Sequence, residues 1–226
     1  MLYITGDTHG DLDRFESPEM RKVKKGDTLF IAGDFGFVWD DSAAFQAKLK
    51  KLAKKKYTIA FIDGTHENFS LLNAYPVEEW CGGKVHRIAD NIVHLMRGQV
   101  FTVEEKKIFA LGGGLSQDFD LRDIDDAQAS LELPSKAELM EAAENLGEAA
   151  GVVDFILTHE PTGHVKAFLR LKDQNILSGD PTALGEYLEE LAKVCKFKRW
   201  YFGSMHLDKV ISSTHTAVYR KVLPVE

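Results

Sequence analysis

Cysteine and proline are scarce in this chain, with two and six residues respectively among 226. Cys81 and Cys195 lie far apart and outside any CxxC spacing, which argues against a disulfide framework or a zinc knuckle and for the reduced thiols of a cytoplasmic protein. No Pro/Gly/Ser-rich linker, internal repeat or low-complexity tract breaks the chain, so 1–226 reads as a single domain. Positive charge is not in excess either. The net charge of −7 offers no electrostatic footprint for nucleic acid, and the basic runs at 21–25 and 48–56 read as solvated faces. The opening "MLYITGDTHG" lacks the basic and apolar regions of a signal peptide, and no window reaches the length of a membrane span.

What is present is the balance of a soluble globular protein, 44% hydrophobic and 28% charged. Short apolar runs rich in β-branched and aromatic residues read as buried strands, and each ends abruptly. "LYIT" stops at Gly6-Asp7, "DTLFIA" at Gly33-Asp34, "YTIAFI" at Asp63-Gly64, "VVDFIL" at Thr158-His159 and "RWYF" at Gly203. Between them, helices are predicted over about 41–56, 135–149 (with Ser135 as cap) and 181–195. The stretch 84–115 reads as an antiparallel meander, with turns at "ADN" and "EEK". Strands alternating with helices, plus a meander, predict an α/β protein with at least one mixed sheet.

In α/β sheets, ligands gather where strands finish and loops begin. There the chain sets Asp7, His9, Asp34, His66, His159 and His206. One strand-end Asp or His is ordinarily a cap or a satisfied polar group. Six at successive strand ends point to a divalent metal, because imidazole and carboxylate together suit Mn, Fe, Zn or Ni and the adjoining glycines let the backbone bend around an ion. "GGGLSQD" does not match a GxGxxG dinucleotide loop.

"GDTHG" at 6–10, "GDF" at 33–35, "GTHE" at 64–67, "THEP" at 158–161 and "GSMH" at 203–206 resemble, in order, the five motifs of the calcineurin-like metallophosphoesterases. "HENFSLLNAYPVEEW", "GGKVH" and "RGQVF" further resemble the compact bacterial and phage branch of that superfamily. The resemblance implies a four-layer α/β/β/α sandwich of two mixed sheets. It implies a phosphate-ester substrate, hydrolysed with the help of divalent metal. Asp7, His9 and His206 would hold a first metal, Asp34 would bridge to a second, His159 would bind the second, and His66 would protonate the leaving group.

Two positions depart from the pattern. Thr65 stands where the family has the asparagine of GNHE, and Ser204 where it has the first histidine of GHxH. Both fall on the second metal, so one tightly bound ion is expected rather than two, with weakened hydrolysis. The alternative is a catalytically silent protein with one structural metal that acts by binding a protein partner. Glu160 or His164 is the candidate to compensate for the lost ligands. "FGF" at 35–37 replaces the "DRG" of the Ser/Thr protein phosphatases, which argues against a general phosphoprotein phosphatase. The acidic, glycine-bearing segment 111–135 reads as a rim to the site.

Overall fold

The computed structural model describes residues 1–115, 131–172 and 183–226. Its strands are β1 (Leu2–Thr5), β2 (Thr28–Ala32), β3 (Thr58–Ile62), β4 (Val77–Trp80), β5 (Gly83–Ala89), β6 (Ile92–Leu95), β7 (Gln99–Val103), β8 (Lys106–Leu111), β9 (Phe155–Thr158), β10 (Arg199–Phe202), β11 (Lys209–Val210), β12 (His215–Ala217) and β13 (Leu223–Pro224). The helices are α1 (Ala43–Leu52), α2 (Phe69–Leu72), α3 (Lys136–Glu148), α4 (Gly163–Lys172) and α5 (Ala183–Val194). The strands form two mixed sheets, one in the order β13-β1-β2-β3-β6-β5-β4 and the other in the order β11-β12-β10-β9-β8-β7.

Three apolar clusters account for the layering. The first joins the inward faces of the two sheets, with Ile4, Phe30, Ile62 and Val93 from one meeting Phe101, Ile108, Leu157 and Tyr201 from the other. A second packs Leu49 and Leu52 of α1 and Leu72 of α2 on the outer face of the first sheet. A third packs α3, α4 and α5 on the outer face of the second, through Ala142, Leu146, Leu169, Leu184, Leu188 and Leu191. The result is the expected helix/sheet/sheet/helix sandwich. Strands buried on both faces read as unbroken apolar runs, which is why β2 and β9 were conspicuous in the sequence.

Three expectations need correction. The meander over 84–115 is divided between the sheets: β5 and β6 pair in the first, whereas β7 and β8 pair in the second. Local antiparallel pairing is visible in turn residues, but which sheet a hairpin joins depends on distant partners. Helix α1 stops at Leu52 rather than near 56, because the Asn91 side chain donates to the carbonyls of Leu52 and Lys55, and to that of Tyr57, at 3.1–3.2 Å. Helix α4 was not anticipated at all. Helix α3 does start where predicted, in a reciprocal capping box between Ser135 and Glu138. Helix α5 is described from Ala183, so the first residues of its predicted span lie outside the described residues, as does the acidic "FDLRDIDD" part of the 111–135 segment.

Candidate metal centre

Parallel pairing of β1 with β2 and β2 with β3, and of β9 with β10, brings their carboxyl ends to one edge of the sandwich. The loops leaving β1 and β2 are fastened together, since Thr8 and His9 both donate backbone N–H to Asp34 O, at 3.0 and 2.8 Å. Gly33 (φ +94°) lies against the imidazole of His159, and a β-carbon there would overlap the ring. At Gly203 a β-carbon would strike Ala32 O and Asp7 Oδ1. His9, Asp34, Ser204 and His206 all adopt positive φ, between 46° and 59°. Such backbone costs about 1–3 kcal/mol at a non-glycine position and persists where the surroundings over-determine it, most often at functional sites.

The side chains converge accordingly. His206 Nε2 lies 3.1 Å from Asp7 Oδ2 and 3.1 Å from His9 Nε2, and His9 Nε2 lies 3.7 Å from Asp34 Oδ2. One ligand atom from each of Asp7, His9, Asp34 and His206 falls within 4.8 Å of all the others. Donors bound at about 2.1 Å to one ion stand roughly 3.0–3.4 Å from their neighbours, so these separations suit a single shared cation. Asp7 Oδ2 is buried and makes no hydrogen bond among the described residues, although His206 Nε2 is so near. The two-imidazole, two-carboxylate set therefore fits a divalent transition metal.

His159 stands beside this group, not within it. Its Nδ1 lies 3.0 Å from Ala32 O and its Nε2 3.7 Å from Asp34 Oδ1. A backbone carbonyl at Nδ1 selects the tautomer that leaves Nε2 as the coordinating nitrogen. Asp34 Oδ1 also accepts from the Thr65 and His66 backbones, at 2.7 and 2.8 Å, while Asp34 Oδ2 meets His66 Nδ1 at 3.1 Å. Thr65 Oγ1 lies 3.1 Å from His66 Nδ1, and Ser204 contributes its backbone N–H to Asp7 Oδ1 at 3.3 Å.

Charge is tightly coupled here. Burial opposes ionisation of Asp34, but the His159, His66 and His9 rings outweigh it and hold the carboxyl well below the usual range. Burial likewise opposes protonation of His159, yet Asp34 and Asp7 raise it to about 9. Asp7 raises His206, and burial lowers His9. A bound cation compensates the same carboxylates, so its binding displaces protons from these rings.

The calcineurin-like phosphoesterase family model matches residues 2–216. The chain belongs to the calcineurin-like phosphoesterases. A solved protein serine/threonine phosphatase from Saccharomyces cerevisiae, with similarity to human phosphatase PP5, aligns at 16% identity and a TM-score of 0.41. The alignment covers 96% of this phosphoesterase chain but only 66% of that protein. Comparison with curated protein sequences gives no significant match.

Sequence reasoning missed several supports of this calcineurin-like site. Glu67 is buried and accepts from the Phe35 and Gly36 backbones at 2.6 and 3.3 Å. Burial, and then Asp34, pushes its carboxyl well above the ordinary range. Arg14 donates to Asp7 O, Thr5 Oγ1 and Tyr219 O, and the Tyr219 ring stacks on His206 at 4.8 Å. Only Glu67, inside "GTHE", carried a local signal. Of the two compensating candidates, His164 is excluded by position: 87% exposed, it pairs with Glu189 at 2.6 Å. Glu160 is buried and pairs with Lys166 at 2.7 Å.

Proposed function

We propose that this chain hydrolyses phosphate esters with a divalent cation held by Asp7, His9, Asp34 and His206. The observation that carries this reading is the convergence of one ligand atom each from Asp7, His9, Asp34 and His206 within 4.8 Å, with Asp7 Oδ2 and His9 Nε2 each 3.1 Å from His206 Nε2. When bound, a divalent cation supplies positive charge to a phosphoryl oxygen and makes hydroxide available near neutral pH. The remaining work falls to the chain. His66 is held through Nδ1 by Asp34 and Thr65, and its other nitrogen is assigned the proton for the departing oxygen. Asp34, His159 and the neutral Thr65 and Ser204 make the second position the weaker one, so a single tight ion and reduced turnover are assigned. Thr and Ser hydroxyls are poor substitutes for the groups they replace. The same substitutions favour the second reading, a silent scaffold with a structural ion and a protein partner.

The chain is read as one domain of the compact bacterial and phage branch. Among the described residues no helix is long and apolar enough to cross a membrane. A cytoplasmic setting is the reading supported by two unbonded cysteines, Cys81 and Cys195.

The test is elemental analysis of protein purified without chelator, before and after dialysis against Mn, with turnover of aryl phosphate mono- and diesters measured on the same samples. One ion per chain with metal-stimulated turnover is expected. Metal-free protein that takes up no Mn would sink the proposal, and one ion without turnover would select the silent scaffold.

A further inference from the structure

A cavity of about 120 Å³ lies between β5, β6, α2 and the start of α3, and it shares no residue with the Asp7–His206 cluster. Phe69, Met96, Leu131 and Leu133 give it apolar walls, while Asp63, His86, His94, Arg97 and Glu138 supply charge and hydrogen-bonding groups. His86 is 5% exposed, and among the described residues its ring has one hydrogen bond, between Nδ1 and His94 Nδ1. The two ring planes differ by 5° with centroids 5.2 Å apart, so this 2.9 Å contact lies in the plane of both rings and directs His86 Nε2 away from His94.

The partners fix where the protons sit. Asp63, ion-paired with Arg97, is a carboxylate and only accepts, so His94 Nε2, 3.0 Å from Asp63 Oδ1, donates. Arg97 already balances that charge through two bonds to Asp63 Oδ2, which leaves the ring pair neutral. His94 Nδ1 is then a bare acceptor, His86 Nδ1 donates to it, and His86 Nε2 keeps its lone pair. Burial, then His94, lowers His86 to about 4, so the lone pair persists at neutral pH. Donors in the wall are already committed. Arg97 gives its N–H groups to Asp63 and to the carbonyls of Leu131, Glu132 and Leu133. The Glu138 carboxylate, by contrast, takes the Ser135 N–H at 2.6 Å and stands 3.6 Å from Arg97 Nη1. A ligand here therefore has to donate, and an anion would be opposed by Asp63 and Glu138. An apolar cavity of about 150 Å³ takes one benzene ring, so this one suits a single six-membered ring.

We infer that the cavity binds a small flat heteroaromatic ring carrying an exocyclic amine, of the aminopyrimidine class, whose N–H groups meet His86 Nε2 and the Glu138 carboxylate. Nothing in this binding depends on the metal centre. The ring faces are covered by the apolar walls, and the amine supplies the donor that the wall lacks.

The full-length protein labelled with ¹⁵N tests both halves at pH 7. Imidazole spectra are expected to show His94 protonated at Nε2 and His86 at Nδ1, with His86 Nε2 bare. Titration with 2-aminopyrimidine is expected to shift the His86 Nε2 signal saturably. Pyrimidine, of the same shape without the amine, is expected to bind about tenfold more weakly or worse. Glu138→Gln keeps a capping side chain and should weaken 2-aminopyrimidine by about three- to tenfold, with an unchanged far-ultraviolet circular dichroism spectrum. A proton on His86 Nε2, no saturation with 2-aminopyrimidine, or equal affinity for pyrimidine would each overturn the inference, and all three are read on the wild type.

Discussion

Replacing Arg97 by Met tests the polar clamp beneath the metal centre. Asp63 follows β3 and begins the turn that carries Thr65 and His66, and its side chain is 1% exposed. Arg97, 7% exposed, donates Nε and Nη2 to Asp63 Oδ2 at 2.9 and 2.6 Å. The same guanidinium reaches the carbonyls of Leu131, Glu132 and Leu133 at 2.8–3.2 Å. On the other side, His94 Nε2 lies 3.0 Å from Asp63 Oδ1 and His94 Nδ1 lies 2.9 Å from His86 Nδ1. Breaking a buried ion pair from one side costs about 3–5 kcal/mol, because the remaining charge is left desolvated. His94 stays beside Asp63, so Arg97→Met is placed within that range instead of above it. Neutralising the orphan in the same background, as Arg97→Met with Asp63→Asn, should recover at least about 1 kcal/mol. Urea unfolding followed by circular dichroism measures both, with equal slopes required for the comparison. A loss below about 1 kcal/mol for Arg97→Met, or no recovery in the double variant, would show that the clamp is not an uncompensated-charge problem and would refute the reasoning.

His86 adds a pH dependence: burial, then the neighbouring His94, lowers it to about 4, against about 6.5 in an unfolded chain. Between those values the unfolded state binds more protons, so stability falls as pH falls from about 6.5 to 4, and urea midpoints at pH 7 and 5 should converge in His86→Gln; parallel loss in both proteins would sink this. Restoring the family residues, Thr65→Asn with Ser204→His, should raise aryl phosphate turnover and bind a second ion tightly, whereas unchanged kinetics would mean that the substrate pocket has also diverged. His66→Gln should keep its first ion and lower kcat by about 10²–10⁴-fold; loss of the ion would recast His66 as a ligand. Gly33→Ala combines a φ of +94° with overlap on the His159 ring and should cost at least about 2 kcal/mol, read by thermal unfolding; a neutral result would mean that the β2 loop yields more easily than its contacts imply.

The strand ends were legible because a strand buried on both faces must be apolar throughout, so the first Gly-Asp or Thr-His after it marks the edge of the sheet. That reasoning located Asp7, Asp34, His159 and His206, and the capping pattern located α3. It could not find Arg97, whose partner Asp63 lies 34 residues earlier and whose carbonyl contacts lie about as far ahead. Nor could it separate β6 from β7, two neighbours in the chain that enter different sheets.

The chain itself determined the α/β class, the order of the motifs and the family, for these rest on periodicity and short-range spacing. Tertiary structure decided which donors share a point. Asp7, His9, Asp34 and His206 lie on three loops from two sheets, and only the packing of those sheets sets their nitrogens and oxygens within 4.8 Å. It also dismissed His164, which faces solvent beside Glu189, and paired Glu160 with Lys166. A side chain six positions beyond a strand points wherever its helix directs it, whereas the residue next to the strand is held by the sheet.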